Sequence, residues 1–336
     1  MSTIIKSIEY YLPENIFTNE ILQKENPQWD MGNVISKSGV LQRHIAKEGE
    51  TALDLSQKAC DQIFNKKGND KSDIDGIIYC TQSPDYIMPG NSFLLHKYLD
   101  LSNDVFAYDF NHACTGYIYS LAMAHSFILS GIARKILLIN ADTYSKYINN
   151  RDRSVRVLFG DGAAATIVEK SVKNKGIIDL ELASFGKNFD SFYIPAGGIR
   201  IPKSSETSKE NVDDRGNIRS KEDIFMDGTK VWAFINSVVP KQIKRLLNRN
   251  NLEISDIDLF VFHQASQMTL DTIAKILRLD REKVFINIYN IGNTVSASIP
   301  IAIKDAIIQG KLIRGQKVLL SGFGVGMSYG TILMEF

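Results

Sequence analysis

Residues 72–79 read Ser-Asp-Ile-Asp-Gly-Ile-Ile-Tyr, and residues 255–262 read Ser-Asp-Ile-Asp-Leu-Phe-Val-Phe. The same four residues open both runs, and each continues as the short apolar stretch of a buried strand. Further out, Val105-Phe106 and Val284-Phe285 open two more apolar runs, 179 positions apart. That offset pairs Asn111 with Asn290 and Cys114 with Asn293, and it pairs Gly131 with Gly310 at the ends of two helical stretches. A spacing this long marks a duplicated domain rather than a solenoid, whose repeats run about 20–50 residues. Two copies of one fold bring equivalent positions together around a pseudo-twofold axis, so Cys114 and Asn293 are expected to face one pocket. The division is placed near residue 172: residues 1–172 form the half with the cysteine, and residues 173–336 the half with His263 and Asn293.

Between these anchors, helical and strand signals alternate. Ala52, Leu55, Ala59 and Ile63 recur at helical spacing. Strands are expected at 74–80, 105–110 and 136–139, with an apolar helix over 115–130. Phe159-Gly-Asp-Gly162 reads as a turn that feeds a strand ending at Val168, since Asp-Gly favours positive φ. In the second half the pattern predicts helices at 230–249, 266–278 and 296–309, and strands at 257–262, 284–288 and 317–321. Alternation of this kind favours a largely parallel sheet in each half, an α/β architecture. The polar stretch 203–223 reads as an exposed excursion.

The composition narrows the function classes. The 336-residue chain has 39 basic and 38 acidic residues, a formal net charge of +1, which argues against a general nucleic-acid binder. Its three cysteines, Cys60, Cys80 and Cys114, are widely spaced and odd in number. They form neither a disulfide framework nor a metal site and point to a reducing, cytoplasmic setting. No stretch approaches the ~18 uninterrupted apolar residues of a membrane span, so no membrane association is expected.

Chemistry is carried by four motifs. Cys114 lies in Asn-His-Ala-Cys-Thr-Gly-Tyr, where a buried strand gives way to a helix. A helix start offers unpaired N–H groups and a positive dipole end, both of which favour a thiolate. A drop of about two units from the ordinary value near 8.5 would make the anion dominant at neutral pH. The competing reading is an inert buried hydrophobe, which is retained for Cys60 and Cys80. His263, in Val-Phe-His-Gln-Ala, follows an apolar strand at the carboxyl edge where α/β sheets build sites. His112 is the reserve candidate. Asn293, in Gly-Asn-Thr, stands at another strand-to-helix turn, where an Asn is otherwise a helix cap. Finally, Gly322-Phe-Gly-Val-Gly-Met-Ser-Tyr-Gly330 opens no helix, which excludes a dinucleotide fingerprint. Its glycines suit close backbone approach and the exposure of amides to an oxyanion.

Cys114, His263-Gln-Ala, Gly292-Asn293-Thr and the terminal glycine loop, in this order, resemble the β-ketoacyl synthase III family of the thiolase superfamily. The resemblance spans essentially the whole chain, including Ser38-Gly39, Arg43-His44-Ile45-Ala46, Phe159–Gly162 and Pro195-Ala-Gly-Gly198. It implies a five-layered αβαβα thiolase-like fold, a homodimer, and decarboxylative condensation of an acyl thioester with a malonyl thioester. Catalytic residues would be Cys114, His263 and Asn293, with an oxyanion hole from the backbone amides of Cys114 and Val325. No metal or cofactor is implied, coenzyme A or acyl carrier protein entering as substrate.

The substrate positions depart from the family pattern. Asn33 and Lys37 stand where a Trp and an Arg commonly grip coenzyme A, and Ser266 and Met268 where an Asn and an Arg are usual. Arg153 matches a position that stacks on the nucleotide, Met88 falls at an acyl-chain gate, and Phe323 lies in the glycine loop. Lys241, Lys244, Arg245 and Arg249 would share one helix face, either a landing surface for an acidic carrier protein or simply a solvated face. Acyl transfer to an oxygen or nitrogen nucleophile and a non-catalytic partner subunit are the alternative readings. Hydroxymethylglutaryl-type condensation is disfavoured, because Thr81 and Gln82 occupy the place of its catalytic Glu.

Overall fold

The computed structural model describes residues 2–171 and 175–336, so the division expected near residue 172 falls outside the described residues. Two five-stranded sheets form the frame. The first has the order Thr3–Tyr11, Gly162–Lys170, Lys135–Asp142, Gly76–Cys80, Phe106–Phe110. The second has the order Ile177–Ser184, Ser328–Glu335, Lys317–Gly324, Leu259–Phe262, Val284–Phe285. Slot by slot the two orders correspond. The directions correspond as well: Gly76–Cys80 is parallel to both its neighbours, as Leu259–Phe262 is to its own, and the other two pairings in each sheet are antiparallel. This is the topology of one fold laid down twice.

The largely parallel sheet expected from alternation is therefore corrected to a mixed one. Lys317–Gly324 and Ser328–Glu335 are separated only by residues 325–327, far too few for the crossover that parallel neighbours need. Two strand and helix bounds also move. The strand expected at 284–288 stops at Phe285, because the chain turns into the short helix Ile288–Ile291. The helix expected at 296–309 begins as a 3-10 turn, Val295–Ala297, before Ser298–Ile308.

Alternation along the strands sorts their side chains onto two faces. Ile78, Ile136 and Leu138 from one sheet, with Val318 and Leu320 from the other, enclose Leu121 and Ile299 of the helices Gly116–Leu129 and Ser298–Ile308. The intervening residues Ile77, Tyr79, Leu137 and Ile139 turn outward onto the helices Ala52–Phe64 and Asn91–Leu99. Phe260, Phe262 and Leu319 do the same toward Gly228–Arg249 and Gln267–Leu277. Five layers result, αβαβα. The two central helices are apolar nearly all round because a sheet covers them on either side. Each fully buried Leu or Ile contributes about 1.5–3 kcal/mol relative to exposure, so this double-sided layer is the main source of hydrophobic stabilisation.

The 203–223 excursion is not merely solvated. It carries the pairing of Asn211–Val212 with Ile218–Arg219, and the Arg219 guanidinium donates to Asp152 at 2.6 Å. Asp152 in turn caps the short helix Arg153–Arg156, so the excursion is fastened beside Arg153.

Candidate active site

Cys114 follows the strand Phe106–Phe110 and immediately precedes the cap residue of Gly116–Leu129. The glycine loop presses against it. A β-carbon on Gly324 would fall 2.8 Å from both Cβ and Sγ of Cys114, and one on Gly322 would fall 2.9 Å from its carbonyl oxygen. Only glycine allows this approach, and it brings the Val325 N–H onto the sulfur beside the N–H of Cys114 itself. These are the two amides expected to form the oxyanion hole. The lowered thiol pKa anticipated from the helix start is not found. Burial, reinforced by the charge of Asp142, outweighs both amides and pushes the Cys114 thiol up to about 12. Cys114 is therefore a neutral thiol at physiological pH.

His263 ends the strand Leu259–Phe262, with its N–H on the Ser321 carbonyl of the adjacent strand. Its Nδ1 lies 2.6 Å from the Ser298 hydroxyl, and its ring meets Phe323 edge-on at 5.7 Å between centroids. Burial lowers its pKa to about 3, so the imidazole is neutral at physiological pH. Asn293 is held from the other half of the chain: its N–H donates to Leu158 and its carbonyl accepts from Gly160. The Asn293 Oδ1 accepts the Val295 N–H at 3.0 Å. With the oxygen so engaged, the Nδ2 hydrogens remain for a ligand.

One cavity of about 440 Å³ is lined by Cys114, His263, Asn293, Phe323 and Gly324, so the three candidate catalytic residues share it. Toward solvent its wall passes through Asn33 and Lys37, one turn apart on the helix Met31–Ser38, to Arg153, Ser266 and Met268. Ser266 also caps the helix Gln267–Leu277, accepting the Thr269 N–H. The excursion adds Arg215, which nothing in the sequence pattern had placed near the cysteine. Lys37, Arg153 and Arg215 form no ion pair among the described residues and outnumber the lining carboxylate of Asp30, so the lining is net cationic.

Two family models match the chain: 3-oxoacyl-[acyl-carrier-protein] synthase III over residues 108–186, and its C-terminal domain over residues 247–336. The β-ketoacyl-[acyl-carrier-protein] synthase III of Syntrophomonas wolfei is 34% identical over 100% of this chain and 98% of the relative. That of Campylobacter curvus is 36% identical over 98% of this chain and 96% of its own. A crystal structure of a 3-oxoacyl-(acyl-carrier-protein) synthase III superposes with a TM-score of 0.98 at 36% identity, both chains covered in full. The chain belongs to the β-ketoacyl synthase III family. It is an acyltransferase that joins acyl and malonyl thioesters by decarboxylative Claisen condensation.

Several residues of the synthase fall outside this cavity. His112 bonds Thr115 at 3.1 Å and lies against the Tyr119 ring, tilted to it, and does not line this cavity. Cys60 and Cys80 are buried, and burial raises both thiols. Met88 also lies outside this cavity and is 79% exposed. Arg245 pairs with Glu181 and Arg249 with Asp179, which removes two cations from the basic helix face and leaves Lys241 and Lys244. The sequence reading overlooked Ser298, whose place is set by a turn of the second half, and Asp142, a buried carboxylate that accepts the Gln82 N–H at 2.8 Å and the Ser296 hydroxyl at 2.6 Å. An acidic residue at a strand end carries no motif that would have marked it. No helix among the described residues is long and apolar enough to cross a membrane.

Proposed function

We propose that Cys114 is the acyl carrier and that His263 and Asn293 hold the malonyl thioester. Cys114 attacks the acyl thioester; the carbon–sulfur bond to the donor breaks, and the departing thiol takes the cysteine proton. The tetrahedral oxyanion lies against the N–H groups of Cys114 and Val325. The malonyl carbonyl then accepts from His263 Nε2–H and Asn293 Nδ2–H. Loss of carbon dioxide leaves its electron pair as an enolate on that oxygen; the enolate carbon bonds to the acyl carbonyl, the acyl–Sγ bond breaks, and the Cys114 thiolate takes a proton from solvent as the 3-oxoacyl thioester is released. These steps draw on protein groups and thioesters alone. The single observation that carries the reading is the convergence of Cys114, His263 and Asn293 on one cavity.

Lys37, Arg153 and Arg215 are assigned to the phosphates of coenzyme A or of a carrier protein's phosphopantetheine, with Ser266 and Phe323 along the arm. The chain is divided into halves at 1–172 and 173–336, in keeping with its two matching sheets. A homodimer is supported by the edge strand Phe106–Phe110, where Tyr108 is exposed, and by the exposed run Tyr86, Ile87 and Met88. In that dimer Met88 would act as a gate on the second copy's acyl site.

Incubation with a panel of acyl-coenzyme A thioesters is expected to add acyl mass to Cys114. Release of carbon dioxide from malonyl thioester separates condensation from transfer to a heteroatom. His263→Ala and Asn293→Ala should impair that release more than acylation; the reverse pattern would overturn the assignment of roles.

A further inference from the structure

A second cavity, of about 280 Å³, lies on the far side of the glycine loop from the substrate mouth. Val325 and Gly326 line it directly after Gly324, and Phe192 lines both cavities, so it adjoins Cys114 and stands where the acyl group would extend. Phe189, Phe192, Ile194, Ile224 and Val325 make most of its lining apolar, but one wall is polar. Gln82, Asn111, Tyr144 and Tyr147 all line it. The Gln82 side chain donates to Asn111 Oδ1 at 2.7 Å and accepts from the Tyr144 hydroxyl, while its backbone N–H is anchored on Asp142. This wall is thus positioned from behind by a buried carboxylate. Its free capacity includes several donors: the Asn111 amide hydrogens, one Gln82 amide hydrogen and the Tyr147 hydroxyl engage no partner among the described residues.

An alkyl chain entering here would displace water from those donors and return no acceptor, a loss that a binding site avoids by matching its ligand. Among the described residues no cationic side chain lines the cavity, so a carboxylate would find no counter-ion there. We infer that the acyl group loaded onto Cys114 bears a neutral oxygen acceptor, a hydroxyl or ketone, received by Gln82 and Asn111. The inference rests on the acyl-cysteine reading above and names the substrate class of that same site.

The test compares butyryl-coenzyme A with 3-hydroxybutyryl- and 4-hydroxybutyryl-coenzyme A, following acyl mass on Cys114 of the intact protein with time. At least one hydroxylated donor should acylate about tenfold faster than butyryl, the worth of roughly one hydrogen bond. Gln82→Leu keeps the backbone bond to Asp142 and should abolish that preference, bringing the ratio of hydroxylated to butyryl loading to about one. Butyryl loading as fast as both hydroxylated donors in the wild type would overturn the inference yet leave acyl-Cys114 standing. Failure of all three to label Cys114 would overturn the acyl-cysteine reading, and this inference with it. A preference that survives Gln82→Leu would also count against the wall described here.

Discussion

The Nδ1 of His263 and the Ser298 hydroxyl lie 2.6 Å apart, and the same hydroxyl oxygen accepts the Gln264 N–H at 3.3 Å. With one acceptor role filled, the serine proton is free to donate to Nδ1, which places the imidazole hydrogen on Nε2, toward the cavity. Ser298 is thereby a positioning residue for the donor that the enolate requires. Ser298→Ala should slow carbon dioxide release from malonyl thioester about fivefold, in line with one hydrogen bond of roughly 1 kcal/mol. Acylation of Cys114 should change by much less. An equal fall in both would indicate general loss of packing instead.

Because burial holds His263 at about 3, well under its ordinary 6.5, the ring stays neutral down to acidic pH. As pH falls from 8 to 5, decarboxylation should show no loss attributable to a protonating imidazole. A midpoint near 6.5 in the rate of carbon dioxide release, absent from His263→Gln, would contradict this.

The neutral Cys114 thiol makes a kinetic statement of its own. With its pKa pushed up to about 12, the thiolate fraction of the free enzyme rises tenfold per pH unit through neutrality. Iodoacetamide alkylation of Cys114, read by mass, should climb without levelling between pH 6 and pH 9. A plateau near pH 7 would show a preformed thiolate.

At Gly324 the cost of a side chain is local. An alanine β-carbon would meet Cys114 Cβ and Sγ at 2.8 Å, pushing apart the sulfur and the Val325 amide. Loss of one such donor typically lowers turnover about 10²–10³-fold. Gly324→Ala should lose acylation by about a hundredfold while keeping its circular dichroism spectrum.

Arg215 should matter only to donors that carry phosphate. Arg215→Ala is expected to raise KM for an acyl-coenzyme A about fivefold, the worth of an exposed charge pair near 1 kcal/mol, with kcat unchanged. An acyl-N-acetylcysteamine, which has no phosphate, should respond equally to both enzymes. A comparable rise for both donors would remove Arg215 from phosphate binding.

The repeat of Ser-Asp-Ile-Asp before two apolar runs already contained the duplication, since strand identity and spacing are local properties written in residue order. The pairing of Cys114 with Asn293, and His263 at a strand end, followed from it. Sheet direction did not: whether the strand after a glycine loop runs parallel or folds back depends on the length of a turn that composition alone does not fix. Neither did the ionisation of Cys114, because a helix start is visible in sequence whereas the desolvation that opposes it comes from residues distant along the chain. Arg215, Ser298, and the wall formed by Gln82 with Tyr144 entered the site only by tertiary packing, from segments with no signal of their own. Chain order thus determined which elements exist and which reactive groups they end in. Three-dimensional contact alone decided which of those groups share a solvent-excluded space, because burial and hydrogen-bond partnership are properties of neighbours in space.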